Sequence, residues 1–160
     1  MREKKIYALA GELNTALRYA VLGDSERFLK HKHAWKAWHT LKEFGCSVIP
    51  VAKGITRLDG IKVYPNLASL QDKIDVVVPC LRPEKIPDLI AEVKACGAKI
   101  VWFQEQNWTS EFQTQADSLG IQVVKGCILK HKIYARPFGF LNPCYWHGLH
   151  SPKVPKKKYR

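Results

Sequence analysis

A chain of 160 residues, 46% of them hydrophobic, has the size of one ordinary domain, able to bury most of its apolar surface without disulfides and crowded as two. No window reaches the ~18 uninterrupted apolar residues that a membrane span needs, and Met1-Arg2-Glu3-Lys4-Lys5 leads into a mixed polar stretch rather than a secretory core. A cytoplasmic location and no membrane partner are therefore expected. The net charge of +12, five charges of it from Lys153, Lys156, Lys157, Lys158 and Arg160, leaves the body of the chain basic as well. Anionic partners are favoured: phosphorylated cofactors, nucleic acid or an acidic surface.

In chain order, Ile6, Leu9, Ala10, Leu13 and Leu17 recur at helical spacing and predict an accessory amino-terminal helix over residues 1–17. Residues 18–23 (RYAVLG) read as a first buried strand ending in a sharp turn. Residues 33–44 place Ala34, Ala37, Trp38, Leu41 and Phe44 along one helical face, with Gly45 as the stop. A second strand follows over 46–52 (CSVIPVA). Residues 60–74 read as a bend and a short helical turn, feeding a third strand over 75–81 (DVVVPCL) in which Pro79 marks the end of laddering.

A helix over 83–95 turns Ile86, Leu89, Ile90 and Val93 inward and closes at Gly97; a fourth strand spans 99–104 (KIVWFQ). A helix over 110–119 closes at Gly120, and a fifth strand runs over 121–125. Strand and helix alternate with short connections, which predicts an α/β domain: a doubly wound, parallel, five-stranded sheet with helices on both faces. Right-handed crossovers leave few topologies, and the order 3-2-1-4-5 is expected. The domain is read as 18–136, and 137–160 as a packed extension ending in a basic tail.

In such sheets ligands bind outside the carboxyl ends of the strands where the strand order reverses, here between the first and fourth strands. The residues expected there are Gly23, Asp24, Ser25 and Arg27 after strand one, Val51, Ala52 and Lys53 after strand two, Cys80, Leu81 and Arg82 after strand three, Gln104 after strand four, and Cys127 after strand five. The first loop keeps only Gly23 of the three-glycine dinucleotide fingerprint. A pyrophosphate could still be cradled by backbone N–H groups, the Ser25 hydroxyl and the cations Arg27, Lys30 and Lys32; the alternative is that these bases are a solvated helix face. After strand two, where NAD enzymes use an acid for the ribose, stand Ala52 and Lys53. A cation suits a phosphorylated ribose, pointing to coenzyme A or, second, NADP.

The succession YAVLG, FGCSVIPVAKG, LDGIKVYPNLASLQDKIDVVVPCLRPEKIPDLI, KIVWFQ and GIQVVKGC, from about Arg18 to about Tyr134, resembles the CoA-binding domain family, related to the CoA-binding part of succinyl-CoA synthetase. The most specific parts are the G-x-x-V-Y-x-N-L element at Gly60 to Leu67, the L-R-P-E after strand three and the V-W-F-Q of strand four. The resemblance implies a Rossmann-like fold with CoA along the carboxyl edge of the sheet, phosphates near Gly23 and Ser25, and adenine near the loops after strands two and three. It places Val51 and Ala52 on the family's P-V-N-P segment, which reads Pro50-Val51-Ala52-Lys53 here, and Leu81 and Arg82 on its loop after strand three. The family's arginine after the serine gives way to a longer basic stretch with Lys30 or Lys32 in its place, and Glu105-Gln106-Asn107-Trp108 stands where a glycine is expected.

The five cysteines, Cys46, Cys80, Cys96, Cys127 and Cys144, are odd in number and scattered, a pattern of free thiols rather than a disulfide framework. Cys127 falls at the family's cysteine position, where a thiol could face the pantetheine arm; the plainer reading is a cysteine packed at a strand end. No base at nucleophile spacing is legible, so catalysis is not expected. Cys144, His147 and His150 offer zinc ligand types without paired knuckles, and no metal is expected. His31, His33 and His39, set among lysines, read as exposed helix residues. The sequence thus predicts a small module binding CoA or an acyl-CoA; the rival readings are a basic nucleic-acid-associated protein that kept the fold and lost the cofactor, and a thiol-dependent enzyme or redox sensor using Cys127.

Overall fold

The computed structural model describes residues 16–131 except Glu105. The expected amino-terminal helix, and the extension from 137 onward with Cys144, His147, His150 and the basic tail, lie outside the described residues. Strand β1 (Arg18–Leu22) lies at the heart of the fold, pairing in parallel with β2 (Ser47–Val51) on one side and with β5 (Val76–Pro79) on the other. Strand β6 (Ile100–Phe103) and then β7 (Gln122–Lys125) extend the sheet beyond β5, all parallel. Between β2 and β5, β3 (Arg57–Leu58) and β4 (Ile61–Lys62) form a small antiparallel hairpin.

The side-chain period of two sorts the strand residues onto two faces. Tyr19, Val21, Val76, Val78, Trp102 and Val124 pack against α1 (Ser25–Leu29) and α2 (His33–Phe44) through Phe28, Ala34, Ala37, Trp38, Leu41 and Phe44. Ala20, Leu22, Val77, Val101 and Phe103 face the other way. They meet Leu67 and Leu70 of a 3-10 turn (Leu67–Leu70), Leu89, Ile90 and Val93 of α3 (Leu89–Ala95), and Phe112 and Ala116 of α4 (Ser110–Leu119). Both faces are covered, which is why the central strands are continuous apolar runs; all four residues of β5 are buried.

The doubly wound parallel sheet matches the sequence reading, but the strand order does not. Counting only the five core strands, the order is 2-1-3-4-5 rather than 3-2-1-4-5. Two local features account for it. The free edge of β2 is taken by its own downstream segment, with Ala52 N–H donating to the Tyr64 carbonyl at 2.9 Å and Tyr64 N–H to that of Pro50 at 3.1 Å. A third core strand cannot pair there. On the opposite edge of β1, Asp75 accepts from the Arg18 backbone N–H at 2.8 Å and from Nε and Nη2 at 3.0 Å each, pinning the start of β5 beside β1. The order therefore reverses between the first and third core strands, not between the first and fourth.

The helix expected over 83–95 is also interrupted. A 3-10 turn over Pro83–Lys85 precedes α3, and Pro87, which has no N–H to donate, separates the two. The inward residues Ile86, Leu89, Ile90 and Val93 are all buried as the periodicity implied. Residues 57–62, of which only 60–62 fall in the segment read as a bend, form a hairpin: Asp59 and Gly60 both have positive φ, 48° and 81°, the backbone of a two-residue primed turn. Trp35 Nε1 donates to Asp59 Oδ2 at 3.2 Å and holds the hairpin against α2.

Candidate functional site

At the carboxyl ends of β1, β2 and β5, on the face carrying α3, lies a cleft of about 820 Å³. The end of β1 supplies Leu22, Gly23 and Asp24, and the end of β2 supplies Ala52 and Lys53. Pro65, Asn66, Leu67 and Ala68 form one wall with Gln71; Leu81, Lys85, Ile86, Pro87 and Asp88 form the facing wall, which continues into α3 at Glu92 and Ala95. The cleft thus sits beside the point of order reversal, the position this sheet topology assigns to a ligand.

Each wall has a local cause. Gly23 is held by its N–H donating to the Val51 carbonyl at 2.9 Å, and a Cβ there would stand 2.8 Å from Ala34 Cβ and 2.9 Å from Phe28 Cε2, so only glycine lets the loop lie this close to α1 and α2. Asn66 caps the 3-10 turn, its Oδ1 accepting from Ser69 N–H at 3.0 Å, and so sets the entry of the Pro65 to Ala68 wall. On the facing side Asn107 is buried and its Nδ2 donates to the Pro79 carbonyl at 2.5 Å and to that of Leu81 at 3.4 Å, bracing the loop after β5 from across the sheet.

The charges divide unevenly. Asp24 caps α1 by accepting from the Arg27 backbone N–H at 2.8 Å, and the same carboxylate pairs with the Arg27 guanidinium; Lys85 Nζ stands 3.7 Å from Asp24 Oδ2. Lys30 and Lys32 pair with Glu26 at 3.3 and 2.9 Å, holding its carboxyl down to about 2, and neither lines the cleft. The cations on the cleft wall are Lys53 and Lys85, with Asp24, Asp88 and Glu92 as its acids.

Of the residues expected at the site, Gly23, Asp24, Ala52, Lys53 and Leu81 come together in the cleft. Ser25 begins α1 beside Gly54, whose Cβ position lies 3.7 Å from the Ser25 hydroxyl. Val51 is buried within β2, and Arg82 is exposed at the start of the 3-10 turn. Cys80 is buried, and burial pushes its thiol up to about 12 against a smaller opposing pull from Arg27. Gln104 is buried and spends its side chain internally: Oε1 meets His33 Nε2 at 2.9 Å and accepts from Ile128 N–H at 3.0 Å. Cys127 packs in the apolar cluster on the α1 and α2 face with Ile128 and Leu129. His33, expected as exposed, is half-buried through the bond to Gln104.

Sequence reasoning had not assigned Gln71, Lys85, Asp88 and Glu92 to the site. Lys85 follows the L-R-P-E motif and Asn66 belongs to the motif at Gly60 to Leu67, so two signals for these walls were present in the chain. Gln71 and Glu92 enter only because the 3-10 turn and α3 are packed side by side.

Residues 17–132 match the family model described as CoA binding domain. No curated protein matches the chain. Among solved structures, a "hypothetical protein" from Pyrococcus horikoshii OT3 is 27% identical with a TM-score of 0.67, over 77% of this chain and 86% of that one. A crystal structure of Prb, a protein redesigned for binding, is 28% identical with a TM-score of 0.66, over 76% of this chain and 85% of that one. The apo form of the dinucleotide forming acetyl-coenzyme A synthetase 1 of Ca. Korarchaeum cryptofilum is 24% identical with a TM-score of 0.59, over 70% of this chain but 26% of the synthetase, a likeness of fold.

Proposed function

This chain belongs to the CoA-binding domain family, and from that premise we propose that its cleft holds coenzyme A or an acyl-CoA, in a module that binds without catalysing a reaction of its own. The observation that carries the reading is the coincidence of the cleft with the carboxyl ends of β1, β2 and β5 beside the order reversal, inside the segment that matches the family. Lys53 and Lys85 line the cleft together with Gly23 as partners for phosphate oxygens, while Pro65 and Leu67 on one wall and Ile86 and Pro87 on the other offer apolar surface for an adenine ring. Lys53, where NAD enzymes carry an acid, favours a phosphorylated ribose over a free diol.

The test is a thermal-shift titration of the full chain with CoA, acetyl-CoA, NAD, NADP and ATP, since a ligand that binds only the native state raises apparent stability with concentration. Stabilisation by CoA and acetyl-CoA at concentrations where NAD has no effect is expected. Equal response to NAD and CoA, or no response to any of the five, overturns the assignment.

A further inference from the structure

We propose that Asp24 sets the charge of the ligand this cleft accepts, because its carboxylate acts as a built-in anion at the Gly23 turn. The inference rests on the reading of the cleft as a CoA site. Three observations converge on it. Asp24 lines the cleft directly after Gly23, where a phosphate would approach. Of the groups its oxygens meet, Lys85 Nζ at 3.7 Å is a cation of the cleft wall, whereas the Arg27 backbone N–H at 2.8 Å and the Arg27 guanidinium belong to a residue outside the lining. No other cation of this segment compensates, since Lys30 and Lys32 are drawn to Glu26 away from the cleft.

A carboxylate and a phosphate cannot share these donors cheaply. The two anions repel, and each phosphate oxygen that reaches Lys85 does so in competition with Asp24 Oδ2. The cleft as built therefore takes polyanions through Lys53 and a shared Lys85, and holds them less tightly than it would without the Asp24 carboxylate. Replacing the carboxylate by a neutral capping side chain releases Lys85 without removing the bond that starts α1, because Asn and Ser cap as well as Asp.

The experiment compares the full chain with Asp24→Asn and Asp24→Ser by calorimetric titration with CoA and, separately, with inorganic pyrophosphate. Circular dichroism verifies the fold of each variant, and the two capping residues provide independent variants should one fold poorly. Removing one unit of like charge at about 4 Å from a phosphate is expected to tighten CoA binding roughly fivefold in dilute buffer, and to make binding more sensitive to salt. Pyrophosphate binding should tighten in the same direction. If none of the three proteins binds CoA but the variants gain pyrophosphate affinity, the CoA reading falls and the role of Asp24 stands. Folded variants that bind both probes no more tightly than the parent chain overturn the proposal.

Discussion

Gln104 Oε1 accepts from His33 Nε2 across 2.9 Å and from the Ile128 backbone N–H across 3.0 Å, so one buried amide joins the end of β6, the start of α2 and the turn after β7. Two donors on one oxygen require that His33 carry a proton on Nε2. The residue is a cross-brace, and its side chain is consumed by the fold. Gln104→Ala leaves the Ile128 N–H without its partner in a buried site, so a loss of about 2 kcal/mol in urea unfolding is expected, with the CoA affinity of the folded fraction unchanged.

Lys53 and Lys85 are the cations on the cleft wall, and neither is buried. Lys53→Ala and Lys85→Ala should each weaken CoA binding by roughly three- to tenfold and flatten its dependence on salt, since an exposed charge on a phosphate is worth on the order of 1 kcal/mol. Calorimetric titration at two ionic strengths reads both effects. Thermal stability should barely move, because surface ion pairs contribute little.

A methyl group at position 23 has nowhere to go. The Cβ of Gly23→Ala would stand 2.8 Å from Ala34 Cβ, and Ala34 is wholly buried, so either the loop or α2 must shift. Overpacking of this kind costs about 1–3 kcal/mol. A lowered unfolding midpoint together with reduced CoA stabilisation is expected, the second because the Gly23 turn shapes the cleft.

Asp75 links stability to acid pH. The Arg18 guanidinium hydrogen-bonded to it holds its carboxyl below the usual range, against an opposing effect of partial burial. A folded-state value below the unfolded one contributes stability that is present above about pH 4 and disappears as the pH falls through the folded value. With both side chains partly exposed, the contribution is on the order of 1 kcal/mol. Asp75→Asn should therefore be less stable than the parent chain at pH 7 and converge with it at the acid end, as followed by thermal melts across pH.

Burial protects the Cys80 thiol twice, by removing it from reagent and by pushing its ionisation up to about 12. Brief alkylation of the native protein at pH 7.5, followed by peptide mapping, should leave Cys80 unmodified until denaturant is added. Rapid labelling of Cys80 in the folded state would contradict the packing described for the end of β5.

Much of this architecture was legible because local signals agreed with one another. The helices over His33–Phe44 and Ser110–Leu119 have the limits read from their apolar spacing and terminal glycines, and Gly45 and Gly120 adopt the positive φ, 97° and 70°, that ends a helix. The hairpin was legible too, in the Asp59-Gly60 pair between Leu58 and Ile61, yet strands of two residues carry too little periodicity to stand out. The basic run at Arg27, Lys30 and Lys32 pointed to a phosphate cradle because composition reports charge without reporting its partners. Asp24 and Glu26 lie within the same few residues, and which acid meets which base depends on the turn at Lys30 to Lys32.

The sequence by itself determined the alternation of strand and helix and the limits of the helices over His33–Phe44 and Ser110–Leu119, because apolar period and glycine punctuation are local properties of the chain. Tertiary structure alone decided that β5 joins β1 rather than β2, since the choice is a competition for edges. Tyr64 returns to cover β2, and Asp75 reaches Arg18 across 57 residues of chain. That one decision moved the order reversal, and with it the cleft, to the ends of β1 and β5. There the walls from Pro65 to Ala68 and from Lys85 to Asp88 face each other across Gly23, an arrangement that spacing along the chain does not encode.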